Sequence, residues 1–165
     1  MLVTIYIETT IRGPARRNGA GAWLAEYIKQ NGEAETRPRE LTDSILYLEN
    51  TTENALELAL LIDAFSILTK SCSVQVNTQC EHILNVIENG WLEQWEENDW
   101  KKANGKPVVN ALLWQQAYEY MQIHEVMFED GENSYRNVMQ LELLKRLKEE
   151  ATCLRNSENS IPGRN

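Results

Sequence analysis

Three strand-like runs precede the first helix-like run in this chain, and helix and strand alternate after it. That order excludes all-helical bundles and all-β sandwiches. Leu2 to Ile7 is β-rich and is bounded by Glu8-Thr9-Thr10, and Gly19 to Tyr27 is a second apolar-rich strand. Asn31-Gly32 marks a tight turn into a third strand that lies between Glu33 and Glu49. Pro38 interrupts this third strand, because proline has no N–H to give to a ladder. Thr51 and Thr52 then open a helical run to Lys70, with a threonine cap at its start. Within it Leu56, Leu60 and Ala64 recur at intervals of four, and Leu58, Leu61, Ile62 and Phe65 lie beside them. Such a helix is apolar on more than one side and needs a sheet to pack on.

After this helix Val74 to Val76 predicts a short buried strand. Gln79 to Glu88 and Leu92 to Glu97 predict short helices parted by Asn89-Gly90. Val108 to Met121 is a further helix, Glu125 to Phe128 a last strand, and Val138 to Cys153 a leucine-rich final helix. Strands joined by short turns pair antiparallel, whereas strands joined through a helix pair parallel. The expected fold class is therefore α/β: a mixed five-stranded sheet, three antiparallel strands then two parallel, flanked by helices. One domain is expected over residues 1–153, and a disordered tail over residues 154–165, which are polar and contain Pro162 and Gly163.

Charge narrows the function. The chain has 25 acids against 16 bases, a net charge of −9, whereas general nucleic-acid binding needs clustered Lys and Arg. A local basic patch stays compatible with this balance. Cys72, Cys80 and Cys153 are scattered, with no histidine at metal-ligand spacing, and read as reduced thiols rather than zinc ligands. No apolar run approaches the ~18 residues that span a bilayer. The expectation is a soluble, cytoplasmic protein with no membrane association.

Several colinear segments carry a resemblance. Val3-Thr4-Ile5-Tyr6-Ile7-Glu8, Thr51-Thr52-Glu53-Asn54-Ala55-Leu56-Glu57-Leu58 and Val74-Gln75-Val76-Asn77-Thr78-Gln79 follow one another in order. Asn89-Gly90-Trp91, Asn98-Asp99-Trp100-Lys101-Lys102, Gly105-Lys106-Pro107-Val108-Val109-Asn110, Leu113-Trp114 and His124-Glu125-Val126 continue the set. From about residue 2 to 148 the chain resembles the type 1 bacterial ribonuclease H family. The resemblance implies a ribonuclease H-like fold and hydrolysis of the RNA strand of RNA–DNA hybrids, with two divalent metals held by four carboxylates.

At the four positions matching those carboxylates the chain departs from the family. Glu8 stands where the family has Asp, one methylene longer at a position that bridges metals. Glu57 is retained, and Asn77 replaces Asp with a neutral amide. The fourth position falls on Gln140 or Leu141, neither a carboxylate. Glu8, Glu57, Asn77 and Gln140 are thus vestigial catalytic positions, and Glu8 and Glu57 are metal sites of weak or no affinity. The family's loop histidine before the last helix has no counterpart between Glu129 and Arg136.

Substrate grip departs as well. The resemblance assigns Thr52 and Asn54 to hybrid contact, but Glu53 puts an acid between them. The family's basic handle is acidic here: Glu81, Glu88, Glu93, Glu96, Glu97 and Asp99 lie in a stretch without Lys or Arg. Lys101, Lys102 and Lys106 are the remaining bases there. Trp91, Trp95 and Trp100 suit core packing better than base stacking. Arg12, Arg16 and Arg17 form a second basic group, in a loop where a solvated turn is the plain reading.

The sequence thus points to a catalytically impaired ribonuclease H-like protein acting as a binding or interaction module, with a protein partner. Two alternatives stay open: a non-cleaving binder of RNA–DNA hybrids, weak and sensitive to salt, and an active or weakly active ribonuclease H. No cofactor is expected to bind tightly, and Mg²⁺ or Mn²⁺ enters only with residual activity.

Overall fold

A computed structural model describes residues 1–159. Its described residues form six strands and five α-helices: β1 (Leu2–Thr9), β2 (Arg17–Ile28), β3 (Ala34–Arg37), β4 (Leu46–Thr51), α1 (Glu53–Ser66), β5 (Ser73–Asn77), α2 (Glu81–Glu88), α3 (Trp91–Glu97), α4 (Ala111–Ile123), β6 (Glu125–Glu129) and α5 (Arg136–Asn159). The strand order is β3-β2-β1-β5-β6, and β4 also pairs with β2. β1, β2, β3 and β4 pair antiparallel; β5 joins β1, and β6 joins β5, in parallel.

The third strand of the sequence reading is two strands here. β3 pairs with the Ala25–Ile28 end of β2, and β4 pairs with its Arg17–Gly21 end. Pro38 and a short 3-10 helix (Leu41–Ser44) separate them, as a residue without a ladder donor requires. The five expected positions in the sheet therefore hold six strands.

The central strands β1 and β2 are covered on both faces and are buried or half-buried along most of their length, whereas β6 exposes Glu125, Met127 and Glu129. Val3, Ile5 and Ile7 of β1 and Val74 and Val76 of β5 pack with Leu56, Leu60, Leu61, Ala64 and Phe65 of α1. On the other face Ala20, Ala22 and Leu24 of β2 meet Met139 and Leu143 of α5. A second cluster joins α1 to the handle: Leu58, Cys80, Ile83, Val86, Leu92, Trp114 and Ala117. Trp95 lies edge-on to the fully buried Trp114, and Trp100 edge-on to Tyr118. Trp95 and Trp100 thus pack into the handle, as aromatic pairs favour, whereas Trp91 lies against the Trp95 ring but is 37% exposed.

The last helix corrects the expected tail. α5 continues to Asn159, so residues 154–159 are helical rather than disordered. Residues 160–165 of the expected tail lie outside the described residues. A helix already nucleated on the sheet propagates cheaply, and neither Pro nor Gly occurs between Arg136 and Pro162.

Gly21 permits the close approach of α1 to β2: a Cβ there would lie 2.4 Å from Leu60 Cδ1 and 3.2 Å from the Glu8 carbonyl oxygen. Leu60 is fully buried, so its displacement would have to be taken up by the core around it. Gly21→Ala is expected to destabilise the fold by about 1–3 kcal/mol through overpacking, read as a lower urea midpoint with an unchanged m-value.

Candidate functional site

The parallel strands β1 and β5 end side by side, with Tyr6 paired to Asn77, so Glu8 lies just beyond the paired segment. The start of α1 brings Glu57 to these strand ends, and the start of α5 brings Gln140. Thr52 holds the start of α1 in place: its Oγ1 accepts a hydrogen bond from the Ala55 N–H at 3.2 Å, the bond that caps a helix.

Glu8 is 1% exposed, and both its carboxylate oxygens are occupied. Asn133 Nδ2 and Arg136 Nε each donate to Oε2 at 3.2 Å, and Gln140 Nε2 donates to Oε1 at 3.0 Å. Gln140 Nε2 also donates to the Thr9 carbonyl at 3.1 Å. Two acceptors face that nitrogen, so the amide must present its NH₂ group there and not its oxygen. Leu141, the other candidate for this position, is 56% exposed.

Asn77 is not hydrogen-bonded to any of the other three positions. Its Nδ2 donates to the Glu132 carbonyl at 2.9 Å, and its Oδ1 accepts from the Gly131 N–H at 3.0 Å. The amide thereby fastens the connection between β6 and α5, and Asn133 of that connection reaches Glu8.

Glu57 is fully buried. Its Oε2 accepts from the Thr78 hydroxyl at 2.8 Å, while its Oε1 has no hydrogen-bond partner and lies 3.8 Å from Arg12 Nη1. Burial pushes its pKa up to about 7, against the lowering influence of Thr78 and Arg12; the fields of Glu53 and Glu8 raise it further. Arg12 crosses this side of the site. Its Nη1 donates to Thr9 Oγ1 at 2.7 Å and to Glu53 Oε2 at 2.9 Å, and its Nη2 donates to Gln79 Oε1 at 2.8 Å. Glu53 Oε1 accepts from the Gly13 N–H at 3.2 Å. The site is therefore built around two guanidiniums, Arg12 beside Glu53 and Glu57, and Arg136 beside Glu8. Among the described residues no group of three or more His, Cys, Asp or Glu is placed to hold a metal ion.

The remaining predicted residues lie around this centre. Asn54 Oδ1 accepts from the Cys80 thiol at 3.2 Å, and burial pushes that thiol's pKa up to about 12. Lys101, Lys102 and Lys106 are exposed on one tight loop, closed by Lys102 N–H to Lys106 carbonyl at 2.7 Å and Gly105 N–H to Lys102 carbonyl at 2.9 Å. Sequence reasoning missed Arg136 and Asn133, and gave Arg12 no inward role. One signal pointed to Arg136: it precedes Gln140 by four, so both fall on one helix face.

Comparison with known proteins places this chain in a family. The RNase H family model matches residues 2–130. A ribonuclease H of Clostridium botulinum is 30% identical over 139 residues, covering 82% of this chain and 88% of that protein. A ribonuclease H of Chlorobium chlorochromatii is 36% identical over 139 residues, with the same coverage of both. Among solved structures, LC9-RNase H1, described as a type 1 RNase H with the type 2 active-site motif, aligns with a TM-score of 0.62 at 24% identity. That alignment covers 78% of this chain and 61% of the other. The PFV RNase H domain aligns with a TM-score of 0.53 at 16% identity, covering 81% and 79%. At these identities the solved structures speak for the fold alone. No helix among the described residues is long and apolar enough to cross a membrane.

Glu57 makes stability depend on pH. Its folded pKa of about 7 lies above the ordinary 4.5, so the folded state holds the proton more tightly than the unfolded state does. Its contribution is fully present below the unfolded value and is lost as pH rises through about 7. Relative to Glu57→Gln, the parent is expected to lose on the order of 3 kcal/mol between pH 4.5 and pH 8, measured by urea unfolding of both proteins across that range. Parallel profiles for the two proteins would contradict the assignment.

Proposed function

We propose that this chain, which belongs to the RNase H family, is a non-cleaving member that acts as a binding module. The observation that carries the proposal is the engagement of Glu8: a buried carboxylate whose two oxygens take hydrogen bonds from Asn133, Arg136 and Gln140. Hydrolysis in the manner of the family calls for carboxylate oxygens open to divalent cations. Magnesium takes hard oxygen donors in near-octahedral arrangement at about 2.0–2.1 Å.

The residues present do not fit such a pair of cations. Glu8 is already neutralised by a guanidinium 3.2 Å away. Asn77 spends its oxygen on the Gly131 N–H. Gln140 turns N–H donors, not an oxygen, toward Glu8 and Thr9. Arg12 adds a second fixed positive charge beside Glu57. A divalent ion placed among these groups would meet two guanidiniums at short range, and like charges at such distances repel strongly in a partly desolvated site.

The acidic handle supports a protein as partner: Glu88, Glu93, Glu96 and Glu97 form no ion pair among the described residues. A second reading, binding of an RNA–DNA hybrid without cleavage, is favoured by Lys101, Lys102 and Lys106. These are exposed on one loop and also make no ion pair.

The test is an RNA–DNA hybrid incubated with the protein in Mg²⁺ and, separately, in Mn²⁺, beside an active ribonuclease H. We expect the hybrid to stay intact under conditions in which the active enzyme consumes it. Metal-dependent cleavage that disappears with Glu57→Gln would overturn the proposal. In a parallel titration Lys101→Ala with Lys102→Ala is expected to lower hybrid affinity and to reduce the slope of log K against log salt by up to about 1.8. An unchanged slope would remove the handle lysines from the hybrid reading.

A further inference from the structure

Strand alternation sets two large rings on the α1 face of β2 with a small residue between them. Trp23, Ala25 and Tyr27 belong to that face, while Ala22 and Leu24 belong to the α5 face. β3 extends the α1 face: Glu35 pairs with Tyr27 and Arg37 with Ala25, so both charged side chains lie on the same side of the sheet as the rings. The C-terminal end of α1 contributes Asp63 and Ile67, and these groups together line a cavity of about 690 Å³. That volume falls within the roughly 300–1,000 Å³ of small-molecule sites. The cavity is remote from the vestigial centre. Tyr27 pairs with Val3, five residues back along β1 from Glu8, which is roughly 17 Å at the rise of an extended strand.

The charges of this lining differ in how they are used. Glu35 and Arg37 neutralise each other, with Oε1 2.6 Å from Nη2. Asp63 Oδ2 accepts from the Trp23 indole N–H at 2.7 Å, which fixes the carboxylate beside the ring, while its Oδ1 takes no hydrogen bond among the described residues. Asp43 and Arg39 are exposed, and among the described residues their side chains form neither an ion pair nor a hydrogen bond. The uncompensated acids come from α1 and the short 3-10 helix, and the uncompensated base comes from the connection after β3. Pro38 and Ile67 add apolar surface to that of the two rings.

We propose that this cavity binds a free α-amino acid with an apolar or aromatic side chain, its ammonium on Asp63, its carboxylate on Arg39 and its side chain against Trp23 and Tyr27. Charge-assisted hydrogen bonds at the two ends would set its orientation, and an aromatic side chain would pack offset or edge-on to the rings. A purely anionic ligand would bring its charge to Asp43 and Asp63, and a purely cationic one would bring its charge to Arg39. A zwitterion satisfies both signs at once.

The experiment follows the indole N–H resonances of isotope-labelled protein by NMR during titration. Trp23→Phe identifies the Trp23 resonance among those of the five tryptophans. The probes are phenylalanine, phenylethylamine, which lacks the carboxylate, and phenylpropionate, which lacks the ammonium. Phenylalanine is expected to shift the Trp23 resonance to saturation and to leave the handle tryptophans unmoved. Each truncated probe should bind about tenfold or more weakly, the cost of one charge-assisted contact. Asp63→Asn keeps an oxygen for the Trp23 N–H and removes only the charge. It is expected to weaken phenylalanine about tenfold and to erase its advantage over phenylpropionate. Arg39→Gln, at an exposed position, should erase the advantage over phenylethylamine.

No saturable shift of the Trp23 resonance up to about 10 mM phenylalanine would overturn the proposal. So would equal affinity for either truncated probe, parent-like binding by either variant, or a shift shared by the handle tryptophans. Neither nucleic acid nor metal is present, so failure here leaves the cleavage test and the non-cleaving reading untouched.

Discussion

A carboxylate buried where a strand ends has to be paired, and Glu8 imposes that requirement on the whole α5 face of the sheet. An isolated buried charge costs several kcal/mol. Here the compensation comes from one helix and the connection before it. Arg136 and Gln140 sit one turn apart on α5 and reach the two oxygens of Glu8. Asn133 adds a third donor from the approach to the helix. With its first turn fastened in this way, α5 lays Met139 and Leu143 on Ala20, Ala22 and Leu24. Tyr135 then closes the same face, stacking edge-on against Tyr6 and donating its hydroxyl to Glu26. The polar clasp sets the register of the apolar packing beside it.

Arg12 performs the corresponding task on the opposite side with less success. It satisfies Glu53 in a close ion pair, but it stands 3.8 Å from Glu57 and leaves one oxygen of that buried acid without a hydrogen bond. Burial therefore outweighs the attraction, and the Glu57 pKa rises to about 7. The two buried acids differ in their partners: Glu8 accepts hydrogen bonds at both oxygens, and Glu57 at one. A chain with net charge −9 thus keeps its centre close to local neutrality, while its uncompensated charge lies at the periphery.

The fold was legible in the sequence because its signals are local. The cap at Thr52, the four-residue spacing of Leu56, Leu60 and Ala64, and the short apolar run Val74–Val76 each need only a few neighbouring residues to be read. The break of the third strand was visible in Pro38, although its division into β3 and β4 was not, since pairing with the two ends of β2 is a long-range matter. α5 runs past Cys153 because polar residues can continue a helix whose preceding turns are docked, whereas polarity with Pro162 and Gly163, read locally, signals only a tail. At the site, the residue types at positions 8, 57, 77 and 140 could be read directly. What holds them could not: Arg12 is 41 residues from Glu53, and Arg136 is 128 from Glu8. Periodicity carries no information about contacts of that separation.

The amides at positions 77 and 140 each serve two partners, one at both ends and the other on two acceptors. Asn77 meets a backbone donor at Gly131 and a backbone acceptor at Glu132, a pair that an amide satisfies fully. An aspartate there would set one oxygen against the Glu132 carbonyl, and two acceptors at hydrogen-bond distance repel. Gln140 bridges the Glu8 carboxylate and the Thr9 carbonyl through its NH₂ group. A carboxylate in its place would face both of them unpaired, with only Arg136 left to balance two acids. An acid at either position would therefore work against the contacts that order the β6–α5 connection and the start of α5. The contacts at this centre are mutually dependent: the amides supply neutral donors and acceptors where the two guanidiniums already balance the buried acids.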